Sequence, residues 1–323
     1  MGIDVVTGAT GHLGNVLVRE LLEKGNTVRA VVQPGDDAAS LSALPVKKIH
    51  ADIRDRAALR KAFTGATRVF HLASVESHFR SHRSKLHEVN VGGTRAVIAA
   101  CQGAWVERLV HMGSVHALSG PRDGVLDEEA GFSATPLASV SAQTRAEACA
   151  EVQGLARAGD LDAVLVLPTG LVGPLDARVS AVGRLLLDLA AGKVPYLLSG
   201  GHDWVDVRDV ARGTVLAAER GRSGEAYLLG SERLSLLDIA EEVSKQTGAP
   251  LPKLLPPWLA RALAWPFLET LSRHHTLLTS WAVHAVTAPF TVSHEKAARE
   301  LGLIPGPVRK ALRDALDWLK ANR

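Results

Sequence analysis

The segment Ile3–Gly14, IDVVTGATGHLG, constrains this chain more than any other. An apolar run ends in Gly8, Gly11 and Gly14 and passes directly into a helical pattern, Leu13–Glu23, with Leu13, Val16, Leu17 and Leu21 on one face. Glycines there allow a tight turn, close approach of the backbone to a pyrophosphate, and close helix–strand packing. The helix that follows supplies unpaired N–H groups and the positive end of its dipole. This strand–turn–helix predicts a dinucleotide phosphate site, with Gly8, Thr10, Gly11, His12, Leu13 and Gly14 as its candidate contacts.

The first half of the chain repeats the same alternation. Strands are expected at TVRAVVQ, VKKIHAD, RVFHLAS, RLVHMGS and DAVLVLPTG, with helices at RAALRKAFTG, NVGGTRAVIAACQG and from Ser139. Nearly continuous Val/Leu strands between helices indicate a parallel sheet covered on both faces. The predicted fold class is therefore α/β, a doubly wound parallel sheet of Rossmann type. After LVGP (171–174) the pattern loosens. Residues 1–174 are expected to form the dinucleotide-binding domain, with strand contributions from about 200–230. Residues 175–323 are expected to form a smaller, mostly helical substrate lobe.

The spacing G-x-x-G-x-x-G resembles the short-chain dehydrogenase/reductase family, and its extended branch in particular. The nearest subgroup is the dihydroflavonol-4-reductase-like, epimerase/dehydratase-type enzymes. The resemblance covers almost the whole chain. ADIRD (51–55) matches an acidic turn whose Asp52 and Ile53 would hold adenine. VFHLAS (69–74) matches a fourth strand whose His71, Leu72, Ala73 and Ser74 would border the cofactor. VNVGGT (89–94) matches the helix with a structural asparagine, Asn90. LPTGLVGP (167–174) would bring Pro168, Leu171 and Val172 across the nicotinamide, while WVDVRDVA (204–211) and FTVSHEKAARELGL (290–303) resemble substrate-lobe signatures.

The implied cofactor is NAD(P)(H). NAD binders carry an acid at the end of the second strand, which here ends Val31–Val32–Gln33. NADP-preferring relatives carry VRxxVR; this chain keeps Arg29 but has Gln33 at the second arginine. The resemblance thus leans to NADP(H). Asp36 and Asp37 follow in the turn PGDD, where turn formation is their first expectation, although a loop could return one of them to the ribose.

The family's catalytic centre combines a serine, a tyrosine and, four residues on, a lysine. Ser114 matches the serine. Aligning TRAEA in SVSAQTRAEA (139–148) with the usual Ser-Lys-x-Glu-Ala puts Arg145 at the lysine and Ser141 at the tyrosine. Gly200 and Ser231 stand four residues after Tyr196 and Tyr227, the chain's two tyrosines, so Y-x-x-x-K occurs nowhere. A serine hydroxyl is too weakly acidic and too short to replace a phenol, and arginine stays protonated. Arg145 can keep the ribose contacts and the positive field. His116 lies two residues beyond Ser114; on an extended segment both would point to one side, making His116 the candidate proton donor. A loop histidine bonded to nearby backbone is the competing expectation.

A net charge of +3, evenly spread, gives no footprint for nucleic acid. Two distant cysteines, Cys101 and Cys149, read as reduced thiols, and with no basic leader the chain is expected to be cytoplasmic. LLPPWLARALAWPFL is broken by prolines and shorter than the roughly 20 apolar residues of a membrane span. Its Trp258, Trp265 and Phe267 suit either an apolar, aromatic substrate or interdomain packing. SHFRSHRSKLHEV (77–89) suits a cationic lid or a solvated helix face; His78 and His82 lack a third ligand, so no metal is expected. A small-molecule substrate is the expected partner, and a homodimer is compatible with the sequence. Three readings follow: a reductase or dehydrogenase whose proton comes from His116 or the substrate, a non-catalytic dinucleotide sensor, and a sugar epimerase or dehydratase. The last conflicts with the missing tyrosine base.

Overall fold

In the computed structural model, residues 2–77, 80–120, 124–132, 139–256 and 290–322 are described. The N-terminal half runs β1 (Ile3–Thr7), α1 (His12–Glu23), β2 (Thr27–Val32), β3 (Lys47–His50), α2 (Arg56–Phe63) and β4 (Arg68–His71). It continues with α3 (Arg83–Leu86), α4 (Gly93–Gly103), β5 (Arg108–Met112), β6 (Gly124–Leu126), α5 (Val140–Ala158) and β7 (Ala163–Pro168). Then come β8 (Gly170–Val172), α6 (Ala181–Ala190), β9 (Tyr196–Leu198), β10 (Gly201–Asp206), α7 (Val207–Arg220) and β11 (Ala226–Leu229). The remainder is β12 (Glu232–Ser235), α8 (Leu236–Thr247), β13 (Lys253–Leu255), β14 (Phe290–Val292) and α9 (Val308–Ala321).

Seven parallel strands form the central sheet in the order β11-β7-β5-β4-β1-β2-β3. The order reverses at β1, so the crevice beyond the carboxyl ends of β1 and β4 is the topological switch point, where such sheets bind ligands. The strands are apolar on both faces because helices cover both: one core forms against α2, α4 and α5, the other against α1 and α7. Leu13, Val16, Leu17 and Leu21 are all buried, as their spacing requires.

A third core gathers α6, α8 and α9 around Trp204. Around it, β8 and β12 flank β10, and β9 pairs with β13. Trp258, Trp265, Phe267, Pro289 and His78 lie outside the described residues. Among the described residues no helix is long and apolar enough to cross a membrane.

One charge is fully buried in the sheet. Asp4 on β1 accepts two hydrogen bonds from Arg68 on β4, at 2.8 and 2.7 Å. Its ionised form is tolerable because the guanidinium meets both carboxylate oxygens.

Candidate dinucleotide and active site

Gly8 has φ +70°, and a Cβ there would lie 2.7 Å from the Ala73 nitrogen at the end of β4. A Cβ on Gly14 would lie 2.1 Å from the Gly8 carbonyl oxygen. These two positions therefore demand glycine, one for its left-handed backbone and both for the contact of turn, helix and β4. Gly11 differs: its φ is −72° and the nearest protein atom to a Cβ is 3.3 Å away. It caps α1, whose N-terminus has no side-chain cap bond. An uncapped helix start beside a glycine cradle is a fitting receptor for a pyrophosphate.

The side chains of this loop reach further than the sequence implied. His12 Nε2 donates to the Pro174 carbonyl at 2.9 Å, and Asn15 Nδ2 to the Leu175 carbonyl at 3.3 Å, so α1 is tied to the segment following β8. Thr10 Oγ1 donates to Asp36 Oδ2 at 2.7 Å. The PGDD turn thus does fold back on the glycine loop. Burial opposes ionisation of Asp36, but bonds from Thr10, the Ala38 N–H and Arg178 outweigh it and hold its carboxyl below the usual range.

Arg29 corrects the sequence reading. Its guanidinium donates to the carbonyls of Ala62 and Thr64 at 3.1 and 2.6 Å, at the end of α2. Orphan helix-end carbonyls attract a cation there, and it is not directed to the ribose end. Gln33 is exposed and lines the cavity at the end of β2. Asp52 is held by Arg54 through both carboxylate oxygens, at 2.9 and 2.6 Å, which lowers its pKa. Ile53 packs where a Cβ on Gly93 would stand.

Beneath the crevice a polar row crosses the sheet, with Thr7, His71 and His111 in register. Thr94 Oγ1 donates to the Asn90 carbonyl at 2.6 Å and so accepts from His71 Nε2 at 3.2 Å. Thr7 Oγ1 then donates to His71 Nδ1 at 2.8 Å. This assigns the Nε2–H tautomer from the bonding pattern. Burial lowers the His71 pKa to about 4 and lowers His111 well below its ordinary value.

Protons taken up by the unfolded chain between pH 6.5 and 4, but refused by folded His71, must weaken the fold as pH falls. The expected contribution is about 1.4 kcal/mol per pH unit over that window. Denaturant titrations across it should show a shallower fall for His71→Gln than for the parent. Equal slopes would mean that His71 is protonated in the folded chain.

The helix α5 presents Ser141 and Arg145 to residues 74–77, which follow β4, and Thr144 to Asn90. Ser141 Oγ accepts from the Ser77 N–H at 3.3 Å and donates to the Val75 carbonyl at 3.4 Å. Asn90 Nδ2 donates to the Val75 carbonyl and to Thr144 Oγ1, both at 3.0 Å, and Asn90 Oδ1 accepts from the Val75 N–H. A π-helical stretch, His87–Gly92, carries Asn90 into this position. Ser141 is thereby a buried loop anchor. Arg145 Nη2 donates to Ser74 Oγ at 3.0 Å and to Glu76 Oε1 at 2.6 Å. Its Nε is buried without a hydrogen-bond partner among the described residues. An orphaned donor of this kind beside Ser74 fits a ribose hydroxyl.

Ser114 is buried, and its Oγ accepts from the His116 N–H at 3.3 Å. The expectation that Ser114 and His116 project together from an extended segment fails, because Val115–Ala117 is a 3-10 turn. That turn sends His116 across to the second layer, where its ring stacks on His202 with centroids 5.2 Å apart. His202 meets Trp204 edge-on at 5.8 Å, and burial together with Arg233 lowers its pKa to about 4. His202 gave no periodic or motif signal in the sequence; only β10 brings it to His116. Pro168 is buried as the last residue of β7, and Leu171 and Val172 lie on β8 paired with β10. Among the described residues no group of three or more metal-ligating side chains gathers.

A glycine cradle at the switch point, a helix N-terminus facing it and an orphaned guanidinium donor define a dinucleotide-binding α/β protein. The family model "NAD dependent epimerase/dehydratase family" matches residues 5–230. The chain belongs to that family, the extended branch of the short-chain dehydrogenases/reductases, and is an NAD(P)-dependent oxidoreductase of this type. It is 34% identical over 322 residues to sterol demethylase protein B of Methylococcus capsulatus, with 98% of both chains covered. It is 33% identical to a putative dihydroflavonol 4-reductase of Synechocystis, covering 98% of this chain and 94% of that one. The crystal structure of gox2253 superposes with a TM-score of 0.85 at 30% identity, covering 99% and 98% of the two chains.

Proposed function

We propose that the protein is a reductase of a carbonyl on a largely apolar, polycyclic or quinone-like small molecule, with the proton supplied by His116 or by the substrate. The orphaned Nε of Arg145 beside Ser74 is the observation that carries the reading. It leaves a charged donor for the nicotinamide ribose while Ser141, at the tyrosine position, is committed to the backbone of Val75 and Ser77. The machinery for holding the cofactor is thus retained, and the usual acid is absent. Sterol and dihydroflavonol, in the names of two relatives, are both polycyclic, which supports an apolar substrate.

Hydride exchange at C4 is the chemistry a bound nicotinamide supplies. The glycine cradle and the α1 N-terminus would hold its pyrophosphate, Arg145 would bond its ribose, and Ser114 would orient the substrate oxygen with its own hydroxyl proton. The proton then comes from His116, on the turn between the two layers, or from the substrate's own acidic group. A ketone flanked by a phenolic hydroxyl could stabilise its own alkoxide and would need only orientation. NADP(H) remains the favoured cofactor, although with Arg29 on α2 and Gln33 uncharged its 2′-phosphate requires a cation from elsewhere. Residues 1–174, with contributions from about 200–230 that include α7 and β11, would form the cofactor half, and the rest of 175–323 the substrate half.

Fluorescence titration with NADPH and NADH, followed by loss of reduced-nicotinamide absorbance with polycyclic and quinone-type ketones, tests this reading. Turnover of at least one such ketone is expected. Tight dinucleotide binding with no turnover for any of them would instead mark a dinucleotide sensor.

A further inference from the structure

A cavity of about 480 Å³ opens at the end of β2, lined by Gln33, Pro34, Gly35, Asp36, Asp37 and Arg178. Five of these residues belong to the turn after β2. Arg178 comes from the far side of the sequence, on the strap between β8 and α6, and its presence there is no accident of a loose loop. The strap is fastened by His12 to the Pro174 carbonyl and by Asn15 to the Leu175 carbonyl. Its other end is anchored by buried Asp176, which accepts from the Ser180 N–H at 2.9 Å and the Ser180 hydroxyl at 2.7 Å. Leu175 and Val179 adopt φ +68° and +51°, a left-handed conformation that a β-branched valine rarely takes. The surrounding bonds hold the strap in it.

Arg178 Nη2 donates to Thr10 Oγ1 at 2.8 Å and pairs with Asp36 Oδ2. Nε and Nη1 make no hydrogen bond among the described residues, and the side chain is half exposed. A carboxylate facing the glycine loop at the end of β2 suits a ribose 2′-hydroxyl, whereas a 2′-phosphate would confront Asp36 and Asp37. Admitting that phosphate requires a cation, and Arg29 is committed to α2.

We propose that Arg178 is the specificity-determining residue for the 2′ position of the dinucleotide. It neutralises Asp36 and offers its remaining N–H edge to the 2′-phosphate, so that a site with an acid at β2 accepts NADP(H). The inference rests on dinucleotide binding at the glycine loop and goes beyond it by assigning the residue that reads the adenosine end.

Calorimetric titration of the full chain with NADPH, NADH, adenosine 2′,5′-bisphosphate and 5′-AMP reads this without turnover. Arg178→Ala should weaken NADPH and the bisphosphate by about tenfold or more, and leave NADH and 5′-AMP within about twofold. Arg178→Lys should restore part of the loss, and Asp36→Asn should weaken NADH while sparing NADPH. Equal weakening of all four ligands by Arg178→Ala would reduce Arg178 to a strap fastener and overturn the proposal, as would no effect on any. A parent chain that binds neither dinucleotide would overturn the underlying reading itself, an outcome distinct from both.

Discussion

Gly14→Val should abolish dinucleotide binding and destabilise the fold by more than about 3 kcal/mol. A Cβ at this position would stand 2.1 Å from the Gly8 carbonyl oxygen and 2.8 Å from Ala9 Cα. Both are backbone atoms, so neither can swing aside as a side-chain end would. The helix would have to withdraw from the turn, dragging Leu13 and Leu17 out of the core they share with β1 and β2. Thermal unfolding and NADPH fluorescence titration measure the two losses. Gly11→Ala separates them, because the nearest atom to its Cβ is 3.3 Å away and φ is ordinary. Its stability should change by less than about 1 kcal/mol, while the methyl group blocks the approach of a pyrophosphate. Parent-like affinity in Gly11→Ala would place the phosphates elsewhere.

His116→Ala should lower carbonyl turnover by about a hundredfold while dinucleotide affinity is unchanged. The residue stands on the 3-10 turn following Ser114, and its ring is fixed by stacking on His202. His202 is expected to act as a positioning residue, since burial and Arg233 lower its pKa and its ring stacks on that of His116. Single-turnover rates across pH, with each variant saturated in NADPH, measure the effect. His202→Phe should retain most activity through the same stacking, and His202→Ala should lose part of it. An undiminished rate in His116→Ala would transfer the proton donation to the substrate.

These expectations drew on the sequence unevenly. The glycine turn, the two-sided apolar strands and the amphipathic α1 could be read directly because each depends on backbone period and local sterics. The missing Y-x-x-x-K pair was legible as well, since an absent residue type needs no geometry. Ser141 and Arg145 were located on α5 by motif alignment, but their partners in residues 74–77 lie more than sixty positions earlier. His116 was placed by strand alternation, which stops at Ser114 because the Ser114 oxygen caps a turn. Trp258, Trp265 and Phe267 lie outside the described residues.

By itself the sequence determined a parallel α/β sheet, a glycine turn at its start and the absence of a Y-x-x-x-K pair. Tertiary structure alone decided which charges reach that turn. Arg29, on the adjacent strand, points to the carbonyls of α2, whereas Arg178, some 170 residues from Thr10, bonds it directly. The reason is physical. Helices and strands follow from neighbours along the chain, but the partner of a long charged side chain is set by what the packed layers place within its reach.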